Sequence, residues 1–227
     1  MKRTLPLLSV GLLWACGDAS PVVLGTIEDA TLRQALVVAD DDDSDSDGSG
    51  RPSGRLELEV NGELRDIRVG RDGSFAIQDL PSGELELSIA VEGLKGTLTI
   101  EAVQPGEVVE VALAIGPGRL ELRVARRQAP DRTEDRPLPN DGAPIELKGH
   151  RVVYYLEPGI YTGPVVIEGH DVTLVGASAW DCAEEDRSIL AGKVTIKGHR
   201  VRLVNVGLRG PQSIEGHDVK VVSSCDR

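Results

Sequence analysis

The stretch that decides the fold is Lys148-Gly149-His150-Arg151-Val152, which recurs three more times and contains all four histidines of the chain. The repeats are Glu168-Gly169-His170-Asp171-Val172, Lys197-Gly198-His199-Arg200-Val201 and Glu215-Gly216-His217-Asp218-Val219. Successive motifs lie about 20 residues apart, with roughly nine more in the middle interval, which is the length of one coil in a stacked repeat. Apolar residues flank each motif in strand-like runs. The pattern predicts short strands that stack in coils.

Stacked coils would place equivalent side chains about 4.8 Å apart. Two columns of charged residues then alternate in sign from coil to coil. They are Lys148, Glu168, Lys197 and Glu215, and Arg151, Asp171, Arg200 and Asp218. Each surface pair contributes at most about 1 kcal/mol, but a slip by one coil would bring like charges together. The alternation is therefore predicted to fix the register of the coils.

The histidines of the motif are His150, His170, His199 and His217. They are predicted to form the turns between strands, because histidine tolerates a left-handed backbone conformation better than most residues. Their side chains would then stack as a ladder. A straight column cannot easily converge on one tetrahedral ion, whose bonds are about 2 Å long. Metal binding by a neighbouring pair of imidazoles is the alternative.

The last third of the chain, residues 144–227, resembles the pectin-lyase-like β-helix superfamily. The resemblance rests on Glu157-Pro158-Gly159-Ile160-Tyr161, on Val165-Val166-Ile167 and on Val172-Thr173-Leu174-Val175-Gly176. It implies a short right-handed parallel β-helix of about four coils and is silent on activity. Residues 126–143, which precede it, collect prolines and charges without apolar periodicity and are predicted to be a linker.

Upstream of the linker, apolar and polar residues also alternate, as in residues 55–60 and 83–89. Turn signals such as Asn61-Gly62 and Pro105-Gly106 separate these runs, and no stretch with a helical period is found. Several short strands punctuated in this way favour a β-sandwich. The predicted fold class is therefore all-β, with a sandwich followed by a short parallel β-helix.

Residues 22–125 resemble the carboxypeptidase regulatory-like, transthyretin-like family of β-sandwich domains. The residues that carry this resemblance are Asp72-Gly73-Ser74-Phe75-Ala76-Ile77 and Leu80-Pro81-Ser82-Gly83, followed by the strand 84–89. By this resemblance, Leu24-Gly25-Thr26-Ile27 and Ala35-Leu36-Val37-Val38 would be the first two strands. Domains of this family are generally non-catalytic, so the resemblance implies a structural or binding role.

The N-terminus has the order of a secretion signal, with basic Lys2 and Arg3 before an apolar stretch that is too short to span a bilayer. Leu13-Trp14-Ala15-Cys16 resembles the lipobox of bacterial lipoproteins. That resemblance implies a signal peptide at 1–15, a lipid on Cys16 and a tether at 16–21. An ordinary cleaved signal peptide is the alternative, and both place the protein outside the cytoplasm.

The formal net charge of −12 argues against nucleic acid as a partner. Removal of residues 1–15 takes away two bases and no acid, which leaves a mature charge of −14. The mature chain also has few aromatic residues on which bases could stack. Polyanion binding is therefore not expected.

An acidic loop at residues 40–50 contains Asp43, Asp45 and Asp47 at the spacing that opens a calcium loop. Position twelve of such a loop supplies a glutamate, and here it is Gly54. The segment is predicted to be a solvated acidic loop, with weak Ca²⁺ binding as the alternative and no other cofactor.

Two cysteines remain once Cys16 carries lipid, namely Cys182 and Cys225. An oxidising compartment would allow them to form a disulfide, and two free thiols are the alternative. Trp180, with Tyr154 and Tyr155, is the candidate contact set for a carbohydrate.

The sequence contains no Gly-x-Ser-x-Gly elbow, His-Glu-x-x-His motif or phosphate-binding loop. We therefore expect a non-enzymatic lipoprotein of the cell envelope, anchored to the membrane by its lipid. It would act as a structural or interaction module that contacts an envelope protein or polysaccharide. The alternative is a carbohydrate-binding or residual carbohydrate-active β-helix protein.

Overall fold

The computed structural model describes residues 19–38, 54–70, 72–91, 93–137, 142–177 and 186–222, of which about 68% form strands. The all-β class expected from the sequence is confirmed. Residues 19–128 form a two-sheet region. Its elements are β1 (Val22–Ile27), α1 (Ala30–Val38), β2 (Gly54–Val60), β3 (Glu63–Val69), β4 (Ser74–Ile77), β5 (Gly83–Val91), β6 (Leu94–Val103), β7 (Val108–Gly116) and β8 (Arg119–Gln128).

The two sheets of this region have the orders β4-β1-β7-β8 and β3-β2-β5-β6. All pairings within them are antiparallel except that of β1 with β7. The alternating residues of the strands point into one shared core, which contains Phe75, Leu85 and Val109 at 1% exposure or less. Burial of this apolar surface, at roughly 25 cal/mol per Å², is the main force that holds the sheets together.

One helix interrupts the strands. Ala30–Val38 is helical, so the expectation that residues 35–38 form the second strand is wrong. Asp29 caps the helix, because its Oδ1 accepts hydrogen bonds from the backbone N–H groups of Thr31 (2.8 Å) and Leu32 (2.9 Å). Leu32 and Leu36, one turn apart, are buried in the core. The helix is only nine residues long, which is too short for a helical period to be recognised in the sequence.

Residues 132–222 form a parallel-coil region. Its strands are β9 (Arg132–Arg136), β10 (Ile145–Leu156), β11 (Gly159–Tyr161), β12 (Val165–Val175), β13 (Ser188–Leu190), β14 (Val194–Ile196), β15 (His199–Val204), β16 (Val206–Leu208), β17 (Gln212–Ile214) and β18 (His217–Val222). Every pairing between them is parallel. The strands form three rows, which enclose a second apolar core, and the long strands β10 and β12 each run through two of these rows.

The repeated motif lies at a corner of each coil. Pairing keeps the motifs aligned, with Gly149 opposite Gly169 and His150 opposite His170. The left-handed residue is the one after each histidine, so the prediction that histidine occupies this position is wrong. The residues with positive φ are Arg151 (48°), Asp171 (56°), Arg200 (55°) and Asp218 (54°).

From the second motif onward, the glycine before each histidine is required by the close approach of the coils. A Cβ on Gly169 would lie 1.9 Å from the carbonyl oxygen of Gly149, and one on Gly216 would lie 1.9 Å from that of Gly198. No other residue fits between the backbones of stacked coils at this corner.

Part of the predicted linker is strand. Residues 126–128 belong to β8, and Arg132–Arg136 forms β9, the first strand of the coil stack. The linker prediction is therefore wrong for these residues. Both segments consist of charged and polar residues, so they lack the alternation of apolar residues by which a strand is recognised in the sequence.

A third apolar cluster joins the two regions. It contains Val22, Leu24, Ala76 and Val108 from the two-sheet region. From the parallel-coil region it contains Val153, Val175, Val204 and Val222, one from each coil. All of these side chains are 5% exposed or less. The two regions are therefore packed against each other along the full height of the stack.

Candidate functional site

The four motif histidines form an exposed ladder along one corner of the coils, as the sequence predicted. The ring centroids of His170 and His199 are 4.9 Å apart with the planes at 7°, and those of His199 and His217 are 5.1 Å apart at 30°. His150 is tilted by 47° from His170 at 6.3 Å. The rings of the stacked pairs face each other, so their nitrogens do not converge on one point. This is the geometry of a stack.

The first three residues of the lysine-glutamate column beside the ladder are in contact with each other. Glu168 lies between two lysines, with Lys148 Nζ at 3.5 Å from one carboxylate oxygen and Lys197 Nζ at 3.7 Å from the other. Both lysines are about half exposed. The contacts have the alternation expected from the sequence and are weak individually.

The arginine-aspartate column has one more member than the sequence analysis identified, because it begins at Asp131 and not at Arg151. Asp131 Oδ1 accepts a hydrogen bond from Arg151 Nη2 at 2.5 Å, and its backbone N–H donates to the Arg151 carbonyl. Asp131 lies 20 residues before Arg151, so extension of the repeat backwards by one interval would have found it. The column therefore alternates over five residues, from Asp131 to Asp218.

Asp171 is the most buried member of this column, with 5% of its side chain exposed. Arg200 donates to both of its oxygens, at 2.7 and 2.8 Å, and Arg126 of β8 donates to Oδ1. Burial alone would raise the pKa of Asp171, but the hydrogen bonds from Arg200 and Arg126 outweigh it and lower that pKa. Asp171 is thus an ionised acid that joins the two regions.

A second ionic group joins the regions at the last coils. Arg202, 4% exposed, donates to Glu110 of β7 at 2.9 Å and to Asp218 at 3.0 Å. Lys220 lies 3.3 Å from the other Glu110 oxygen. Sequence reasoning missed Arg126, Glu110 and Arg202, because these residues meet only when the two regions pack.

The two candidate tyrosines do not form one open contact face. Tyr154 is 1% exposed in the coil core, and its hydroxyl donates to the Lys148 carbonyl at 2.8 Å. Tyr155 points to the opposite side of β10, where its hydroxyl donates to the Ser20 carbonyl at 2.8 Å. Burial, with nearby Asp135 and Asp79, raises the pKa of Tyr155 to about 12. The expectation that they share a sugar-binding surface is wrong, since adjacent strand residues face opposite sides.

Two clefts lie where the regions meet. One, of about 260 Å³, is bounded by Leu24, Thr26, Glu110 and Lys220. The other, of about 150 Å³, is bounded by Gln78 and Tyr155 among others. Both are smaller than the roughly 300 Å³ at which pockets for small organic ligands begin. They are gaps in the packing between the regions.

Several residues singled out by the sequence lie outside the described residues. They are the lipidation candidate Cys16, the candidate disulfide pair Cys182 and Cys225, the ligand candidate Trp180 and the calcium candidates Asp43, Asp45 and Asp47. Within the described ranges, no three His, Cys, Asp or Glu side chains are grouped so as to hold a metal ion. No helix in those ranges is long and apolar enough to cross a membrane.

Comparisons of the chain with protein-family models, with curated proteins and with solved structures gave no match.

Proposed function

We propose that this chain is an exported lipoprotein of the bacterial cell envelope, held to a membrane by a lipid on Cys16. It acts without catalysis, as a structural or interaction module. Its two-sheet region would be a sandwich of the carboxypeptidase regulatory-like kind, and its parallel-coil region would be a short right-handed β-helix of the pectin-lyase-like kind.

The observation that carries the proposal is that the chain is hydrogen-bonded to the folded body only a few residues after the anchor position. The carbonyl of Ala19 accepts a hydrogen bond from Gly106 N–H at 2.6 Å, and the carbonyl of Ser20 accepts one from Tyr155. Cys16 precedes Ala19 by three residues, which span at most about 11 Å. A lipid there would hold the fused body close to the membrane, which suits a fixed module of the envelope.

Three of the most buried charged side chains have structural partners within the fold. Asp171 and Arg202 bridge the two regions, and Glu107, 3% exposed, accepts two hydrogen bonds from Arg127. Burial would raise the pKa of Glu107, but the Arg127 hydrogen bonds and the backbone N–H of Gln104 lower it, so it is held ionised. These contacts favour a rigid scaffold over an active site.

The anchor is tested by expressing the full chain in a bacterial host with a clickable palmitate analogue. We expect label on the wild-type chain, recovery with the membrane fraction, and loss of both in Cys16→Ala. Cys182→Ala serves as the matched control and should remain labelled. An unlabelled, membrane-free wild-type chain, or label retained by Cys16→Ala, would contradict the anchor.

The interaction role is separated from carbohydrate binding by a glycan-array screen of the Cys16→Ala chain, purified without lipid. The screen is run with Ca²⁺ present and chelated, and with Trp180→Ala beside it. No glycan binding is expected. A reproducible hit that disappears in Trp180→Ala would replace the proposed role with a carbohydrate-binding one, and dependence on Ca²⁺ would point to Asp43, Asp45 and Asp47.

A further inference from the structure

The two ends of the coil stack differ in how their core is covered. Four aliphatic residues form one column of the core, and the first three are buried while the last is open to solvent. Their exposures are Leu147 0%, Ile167 0%, Ile196 2% and Ile214 52%. At the first end β9 pairs with β10, and Arg136 lies over the Tyr154 ring at 5.0 Å. At the last end, Leu208, Val219 and Val221 are only partly buried.

The backbone at the last end is also open. Among the described strands, β16 pairs only with β13, β17 only with β14, and β18 only with β15. Each of these three strands therefore has one edge whose N–H and C=O groups lack a strand partner in the described part of the chain. The last described coil consists of β17 and β18, and we call these two strands the open edge. Such an edge is a template for one more parallel strand.

The charges of the open edge specify which strand would fit. Inside the stack, Glu168 lies between Lys148 and Lys197, with a base on each side. Glu215 and Asp218 occupy the same two columns in the last coil and have a neighbouring coil on one side only. Continued alternation calls for a lysine or arginine beside each, in the spacing of Lys197-Gly198-His199-Arg200.

A second copy stacked head to tail does not meet this requirement. Its first strand would bring Asp131 into the column of Asp218, because Asp131 is the first member of that column. Acid would then face acid at about 4.8 Å. The alternation therefore disfavours a second copy stacked in this way and favours a basic partner.

We propose that the open edge binds an extended segment of a partner protein with the pattern base-Gly-His-base. The segment would add as a further parallel strand. Its backbone would pair with β18, its two bases would lie beside Glu215 and Asp218, and an apolar residue would cover Ile214. This inference rests on the proposed interaction role and names the chemistry of the partner.

The chain supplies its own probe and matched control. The probe is a synthetic peptide of residues 193–205, which carries the basic form of the motif. The control is the same peptide with Lys197→Glu and Arg200→Asp. Binding to the Cys16→Ala chain is measured by fluorescence anisotropy at low salt. We expect the probe to bind about tenfold or more tightly than the control, since two attractions become two repulsions.

Two variants of the chain locate the site. Ile214→Asp should abolish probe binding, and Glu215→Lys should weaken it about fivefold while improving binding of the control peptide. Leu64→Asp, at a residue 69% exposed in the two-sheet region, should leave binding unchanged. Thermal unfolding of each variant shows whether lost binding reflects lost folding. The result for Glu215→Lys does not need this check, because an unfolded chain would not bind the control peptide more tightly.

Equal binding of both peptides, or no binding of the probe at millimolar concentration, would overturn the proposal. So would self-association of the chain that Ile214→Asp abolishes, because a second copy would then occupy the edge. None of these outcomes depends on the lipid. Failure here is therefore distinguishable from failure of the palmitate experiment.

Discussion

The two-sheet region and the parallel-coil region set their strand register by different means. In the first, tight turns join neighbouring strands, and Asn61 (φ 50°) and Gly62 (φ 83°) have the positive φ values of a two-residue hairpin between β2 and β3. In the second, each strand pairs with one at least 18 residues away, as Val201 does with Val219, and no turn can align them. The coils depend instead on columns of repeated side chains.

This difference indicates which substitutions should destabilise each region most. The two-sheet region concentrates its stability in a few large core residues whose positions are set locally. The coil stack spreads its register over columns of histidines and charges, each of which contributes little, whereas its motif glycines are required by the close approach of the backbones. Single substitutions should therefore have large effects in the first region and graded ones along the columns of the second.

The largest expected effect is that of Phe75→Ala. Phe75 is 1% exposed, and its ring lies directly over Gly25, where a Cβ would come within 1.9 Å of it. Removal of the ring leaves a cavity in the core, so we expect the free energy of unfolding to fall by about 3–5 kcal/mol. Chemical denaturation measures this. Leu64→Ala, at an exposed residue of β3, should change it by less than about 0.5 kcal/mol.

The same variant tests whether the regions unfold together. The third apolar cluster joins them, so hydrogen exchange of β12 should accelerate together with that of the two-sheet core in Phe75→Ala. Protection of β12 that survives unfolding of the two sheets would contradict this and show two independent units.

Much of the architecture could be predicted because it repeats. The motif around His150 recurs at intervals of 20, 29 and 18 residues, so strands, stacking and alternating charges follow from the sequence alone. Helix α1 could not be predicted, because it is only nine residues long and is defined by a cap at Asp29.

The residues that join the regions could not be predicted either. Arg126 reaches Asp171 across 45 positions, and Arg202 reaches Glu110 across 92. Neither pair has a local pattern. Their contacts exist only because the third cluster brings β7 and β8 against the coils, which is information about packing that periodicity does not contain.

A smaller effect is expected for Asp171→Asn, which tests this junction. The substitution leaves Arg126 and Arg200 without their carboxylate, and both arginines are partly exposed. We expect a loss of about 1–3 kcal/mol in the free energy of unfolding. Asp218→Asn, at a side chain 45% exposed, is the matched control and should cost less than about 1 kcal/mol.

The loss should depend on pH in a defined direction. Because the pKa of Asp171 is lowered from its ordinary 3.8 in the folded state, its contribution is complete above that value. It is lost as the pH falls through the lower folded pKa. The wild type should therefore converge on Asp171→Asn below about pH 4, in acid titrations of unfolding. If the difference in the free energy of unfolding between the wild type and Asp171→Asn stays constant over this range, the carboxylate charge is not the cause of that difference.

The smallest expected effect is that of Glu168→Lys, which tests the columns themselves. The substitution replaces two weak attractions with contact between three lysines, Lys148, residue 168 and Lys197. We expect a loss of about 1 kcal/mol or less at low salt, because all three side chains are at least one-third exposed.

Salt should reduce this loss, since the Debye length shortens from about 30 Å at 0.01 M to about 3 Å at 1 M. Adding Lys197→Glu and Glu215→Lys to Glu168→Lys places residue 197 between two lysines, which turns one repulsion into an attraction and should recover part of the stability. Glu84→Lys on an exposed position of β5 should show no comparable salt dependence. If the triple variant is no more stable than the single one, the charges do not act as vertical neighbours. The register of the coils would then rest on the stacked glycines and histidines alone.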